Sequence, residues 1–187
     1  MNLDEVLGRI DSPNVLNEIV ALRTYSSVRA KGVSQSGQSH YQFVAELDAK
    51  AQEWHLVDDQ GRRSSAVGTW LLQDRDASLE VVFPRGMPKA LQMLYPEALL
   101  MWGRQGESFY PMLVQEIGHR SLLITFEHIE DPASRATAVV NRFTGIIEKL
   151  AIRGDIIILT DVEIGVPLDR EIKPAFLPIT DWIRPDY

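Results

Sequence analysis

The sequence predicts an α+β fold: one antiparallel β-sheet, strongly twisted, with an N-terminal helix and a central helical insert on one face. Three observations carry this. Apolar residues alternate with period two over most of the chain. The connections between those segments are short and rich in Gly, Asp and Ser, which suits hairpins better than parallel crossovers. Helical spacing interrupts the pattern in only two places, near the N-terminus and between Met87 and Trp102.

The first helical region covers residues 1–24. Leu3, Val6, Leu7 and Ile10 follow helical spacing and read as one face of a short amphipathic helix. Ser12-Pro13 supplies an N-cap and a first helical position for a second helix, which Leu16, Ile19 and Val20 carry to about Thr24. A sheet then spans 25–84, with strands at Tyr25–Val33, Tyr41–Leu47, Trp54–Val57, Val67–Gln73 and Leu79–Phe83. Its turns fall at residues 34–39, at Asp58-Asp59-Gln60-Gly61 and at Asp74-Arg75-Asp76.

Pro84-Arg85-Gly86 ends that series, and the helical insert occupies 86–102. Met87, Leu91, Leu94 and Tyr95 recur at helical spacing, Pro88 fits the first turn, and Pro96 stops the helix. Strands resume over 108–166 at Tyr110–Ile117, Leu122–Ile129, Thr137–Asn141, Ile146–Ile152 and Asp155–Ile164, with turns at Gly118-His119, Phe143-Thr144-Gly145 and Arg153-Gly154. Residues 167–187 carry Pro174, Pro178 and Pro185 without a regular period and read as an extended, wrapping tail. No repeat or linker divides the chain, so one domain is expected.

Composition narrows the function classes. The 187 residues are 45% hydrophobic, enough for a real core, and the net charge of −7 argues against a nucleic-acid partner. With no cysteine there is no disulfide and no thiolate chemistry. Nothing approaches the length of a transmembrane segment. The acidic, interrupted N-terminus reads as no signal peptide, so the chain is expected in the cytoplasm, or exported only if a leader was removed before residue 1.

Catalytic and cofactor motifs are missing: no phosphate-binding glycine loop, no dinucleotide fingerprint and no nucleophile elbow. Glu127, His128, Glu130 and Asp131 gather carboxylates and an imidazole, but as a strand-end rim. Asp58-Asp59 and Asp74/Asp76 sit in turns, where aspartate bonds the local backbone. Arg153-Gly154-Asp155 spells an adhesion tripeptide but reads as a hairpin turn. No cofactor, no metal and no enzyme activity are expected.

The informative feature is the concentration of soft apolar residues. Met87, Met93, Met101 and Met112 cluster in the insert and the strand after it, beside Leu91, Leu94 and Trp102. Methionine fills irregular space where an apolar partner varies. By alternation Tyr41, Phe43, Leu79, Val81, Phe83, Leu122, Ile124 and Phe126 face inward beneath that insert. These residues, Met93 apart, are the candidate lining of a site for a lipid or another apolar ligand under a Met-rich lid. The same pattern is compatible with a filled core. In that case the chain is a protein-interaction module with a protein partner, its contacts an exposed Trp102–Tyr110 loop and tail aromatics Phe176, Trp182 and Tyr187.

The run Val139-Val140-Asn141-Arg142-Phe143-Thr144-Gly145-Ile146-Ile147 is similar to a recurring D-x-x-T-G-hydrophobic hairpin, with Asn141 where an acid is usual. Leu159-Thr160-Asp161-Val162 followed by Val166-Pro167-Leu168 is similar to the closing strand and tail of the same proteins. With the order of elements, these segments resemble the LolA-like lipoprotein carriers and the related domain of the RseB-type periplasmic sensors. The resemblance implies an unclosed, strongly curved half-barrel with helices on its concave face, binding acyl chains, with no catalytic residues to carry over.

Overall fold

A computed structural model describes residues 3–67, 70–73, 77–80 and 86–169, and shows the strands of 70–73 and 77–80 through their backbone pairing. The expected candidates Val81 and Phe83, and the tail beyond Asp169, lie outside the described residues.

A helical turn at Arg9–Asp11 leads into helix α1 (Ser12–Ala21). Six strands follow: β1 (Ser27–Ser36), β2 (Ser39–Asp48), β3 (Glu53–Asp58), β4 (Arg63–Val67), β5 (Trp70–Gln73) and β6 (Ala77–Glu80). Helix α2 (Lys89–Leu94) and a helical turn at Pro96–Ala98 form the insert. Strands β7 (Phe109–Glu116), β8 (Ser121–His128), β9 (Arg135–Asn141), β10 (Ile147–Ile152) and β11 (Asp155–Ile164) complete the elements of the described residues.

All eleven strands form a single antiparallel sheet in the order β6-β5-β4-β3-β2-β1-β11-β10-β9-β8-β7. The sheet is therefore two meanders joined along a central seam. One runs outward from β1 to an edge at β6, the other returns from the opposite edge at β7 to β11, and β1 pairs with β11 from Val28↔Ile164 to Ser36↔Asp155. The edges do not pair with each other, so the sheet stays open. Register shifts at Lys31/Gly32, Pro111/Leu113 and Ile147/Lys149 introduce bulges that bend strands. At the first, a Cβ on Gly32 would sit 2.6 Å from the Ile158 carbonyl oxygen and 2.5 Å from the Phe43 ring.

Since β6 and β7 are opposite edges, the segment between them has to cross the sheet. It crosses on the concave face, where α2 touches β2 on one side of the seam and β10 on the other. The core lies between this crossover, α1 and the inward side chains of the strands.

Three local expectations are corrected. Residues 3–7 are not helical: the Asp4 and Leu7 amides donate to the Val114 and Met112 carbonyls and Val6 bridges to Leu113, so this segment pairs with the β7 edge. Only Leu7 of the expected apolar face is buried, with Val6 80% and Ile10 89% exposed. An open strand edge offers hydrogen bonds that two turns of isolated helix cannot match. The cap of α1 is Asp11, not Ser12, and the helix ends at Ala21. The stretch Arg63–Val67, of which only Val67 was expected in a strand, is a strand of its own.

Candidate functional site

The crossover is short and punctuated by backbone chemistry. Gly86 and Gly103 take positive φ at its two ends, Pro88 caps α2, and Pro96 opens the following helical turn. Within α2, Ala90, Leu91, Met93 and Leu94 are all buried and form one broad inward face, while Lys89 is exposed. Met87, Ala98, Leu99 and Met101 bury on either side of it.

Discrete polar contacts hold this cover to the body. Lys89 Nζ reaches Asp155 Oδ2 at 2.8 Å, at the start of β11. The Tyr25 hydroxyl donates to the Leu94 carbonyl at 2.9 Å. Arg23 pairs with Glu97 at 2.6 Å, and its guanidinium lies 4.5 Å from the Tyr95 ring centroid. Burial pushes the Tyr25 hydroxyl far above its ordinary range, with Arg23 opposing and Glu97 adding, so the hydroxyl keeps its proton. Partial burial raises the Asp155 carboxyl, but hydrogen bonds from Lys89 and Ser36 and the Lys89 charge outweigh it and hold the carboxyl below its usual range.

Trp102 is the fixed point of the cover. It is 1% exposed, its ring meets Phe126 edge-on with centroids 5.4 Å apart, and its indole N–H donates to the Pro96 carbonyl at 2.7 Å. Its backbone N–H donates to Glu107 Oε2 at 2.6 Å, and Glu107 also accepts from Arg104 Nε at 2.6 Å. Arg104 in turn donates to the Glu97 and Leu99 carbonyls. The loop expected to present Trp102 to a partner instead turns it inward and ties it down.

The structure brings Phe43, Met87, Leu91, Leu94, Met101, Trp102, Leu122, Ile124 and Phe126 into one buried apolar cluster. Tyr41 packs at its margin, 6.3 Å from the Phe43 ring. Met112 stands apart at the β7 bulge, where its sulfur accepts from Arg135 Nη1 at 2.8 Å. Leu79 of β6 pairs through its backbone with Leu71 of β5. Sequence reading missed the ties that join Arg23 to Glu97, Tyr25 to Leu94 and Lys89 to Asp155, because no spacing rule links positions so far apart. The Trp102–Glu107 tie alone is local enough to have left a signal.

The polar candidates have local partners. Glu127 pairs with Arg135 at 2.8 Å and accepts from the Tyr110 hydroxyl, while His128 Nδ1 accepts from the Glu130 and Asp131 amides. Asp58 accepts from the Gln60 and Arg62 amides and Asp59 from the Gln42 amide, so both secure turns. Asp155 of the Arg-Gly-Asp turn is held by Lys89. Among the described residues no group of three or more histidines and acids is placed to hold a metal ion. Asn141 performs the local task of an acid: its side-chain oxygen accepts from the Phe143 amide at 2.9 Å, and its amide donates to Glu148. No described helix is long and apolar enough to cross a membrane.

No protein-family model and no curated protein matches the sequence. Solved structures do. MucB matches with TM-score 0.50 at 10% identity over 87% of this chain, and MucB of the Pseudomonas aeruginosa MucA/MucB complex with 0.51 at 13% over 86%. The chain spans 62% and 59% of those two MucB chains. An uncharacterized conserved protein from Thermus thermophilus matches with TM-score 0.51 at 4% identity, over 93% of both chains. The expected cytoplasmic placement is corrected by this comparison, because the likeness is to MucB, a periplasmic protein. What the likeness establishes is architecture: the open, curved sheet with its helical cover is a LolA-like, RseB-like fold.

Proposed function

We propose that the chain is a non-catalytic binding protein that takes a lipid or another apolar ligand between its Met-rich cover and the concave face of the sheet. The observation that carries this reading is the construction of the cover. Met87, Leu91, Met93, Leu94 and Met101 all turn inward, yet the segment is joined to the body by side-chain contacts rather than by strand pairing. Such a segment can lift without breaking the sheet, and its thioethers can repack around an acyl chain.

A second reading keeps the same fold with a filled interior as a protein-interaction module. The closure of the described cluster to solvent favours it, and the MucB neighbour was solved in complex with MucA.

Native mass spectrometry of protein purified from its expression host separates the two. Under the binding reading an acyl compound co-purifies, and Leu91→Glu with Leu94→Glu abolishes it while the sheet's circular dichroism survives. Under the second reading the protein is free of ligand and the same pair unfolds it. Two buried carboxylates without partners then cost several kcal/mol, comparable to the whole stability of a domain.

A further inference from the structure

The convex face of the sheet carries a row of polar side chains that are nevertheless buried. Alternation turns Phe43, Ala45 and Leu47 of β2 inward and Glu46 outward, and the register places Glu46 beside Arg29, His55 beside Glu46, and Ser65 beside His55. An outward polar residue on a bare sheet is solvated. Here Glu46 is 2%, His55 7% and Ser65 2% exposed. Arg29 Nε meets Glu46 Oε1 at 2.5 Å and His55 Nε2 lies 3.2 Å from Glu53, but Ser65 Oγ has no hydrogen-bond partner among the described residues.

The chain itself arrives at one end of this row. After β11 the Gly165 amide donates to the Ser27 carbonyl, and the backbone then turns back until the Asp169 amide donates to Glu46 Oε2 at 3.1 Å. The row is acidic near that point, with Glu46, Glu53 and Glu163 against Arg29, whereas the next residues begin Arg170-Glu171-Ile172-Lys173. Alongside runs a groove of about 470 Å³ lined by Lys31, Val33, Val44 and Val57, suited to the apolar side chains that follow.

We propose that the segment after Asp169 docks on this convex row as a strap, crossing β2, β3 and β4 from Glu46 over His55 to Ser65. From β2 to β4 is about 10 Å and an extended residue advances about 3.3 Å, which brings Ile172 to the level of Ser65. The ligand side of the sheet is left clear, so the proposal does not depend on the binding reading above.

The absence of natural cysteine permits a clean test. The double variant Ser65→Cys/Ile172→Cys, in the full chain under mild oxidation by oxidised glutathione, should form an intramolecular disulfide, read by intact mass after thiol alkylation. The pair Lys149→Cys/Ile172→Cys, whose first position faces outward on β10, should remain largely reduced. Thermal melts of the reduced variants establish that each is folded. Equal linking of both pairs, failure of the first pair in folded protein, or a disulfide only between chains would each overturn the proposal.

Discussion

At Gly145 the backbone has φ 73°, and a Cβ there would lie 2.5 Å from the Ile19 carbonyl oxygen. The turn between β9 and β10 therefore sets how closely α1 approaches the sheet. Gly145→Ala should cost about 1–3 kcal/mol, from the left-handed backbone and the displaced helix together. The expected readout is a lower denaturant midpoint with an unchanged slope. That the turn exists is readable from Thr144-Gly145. That a helix end lies over it is not, since nothing in the spacing of residues 12–24 points to residue 145. Asn141 shows the same division: its turn-forming oxygen is visible in the motif, but the hydrogen bond its side-chain amide donates to Glu148 exists only once β10 is in register.

Elements were legible where packing and pattern agree. The strands β1 and β8 alternate cleanly, and Pro96 stops α2 as its chemistry requires. β4 was hidden because Arg63-Ser64-Ser65 carries no apolar alternation, and Ser65 is buried by what surrounds the sheet rather than by its own hydropathy. The N-terminal segment misled in the opposite way, since Leu3, Val6, Leu7 and Ile10 have helical spacing but a strand edge claims the backbone. The cover's Lys89–Asp155 latch makes an element-level prediction. Asp155 has a lowered folded pKa, so its contribution is present above the unfolded value of about 3.9 and fades as pH falls through the lower folded value. Lys89→Ala should therefore destabilise the protein at neutral pH by less than about 1 kcal/mol, as befits a half-exposed pair. The difference between variant and parent should begin to narrow below about pH 4 and close as pH falls through the lower folded value. Paired melts at neutral and acid pH measure it.

For the whole molecule, a single antiparallel sheet under two helices was legible because hairpins leave local marks. The strand order was not, because the pairing of first with last strand has no local signature, and the cover's place follows from that order. The candidate site shares this limit: alternation names inward residues such as Ile124 and Phe126 but cannot place Met112, whose bulge shifts the parity of β7. The edges are where the whole sheet is vulnerable. Deleting the chain through Leu7 uncovers the Val114 and Met112 carbonyls of β7, and sedimentation velocity should then detect self-association that the parent lacks. The central seam has a consequence for synthesis on the ribosome. β1 emerges early, pairs with β2, and then keeps its other side open until the last strand follows. Arg29 and Lys31 stand on that open strand, with Glu163 and Asp161 arriving opposite them from β11. The nascent half-sheet thus carries positive charges that discourage a neighbouring copy of the same strand, and the acids that welcome the right partner come last.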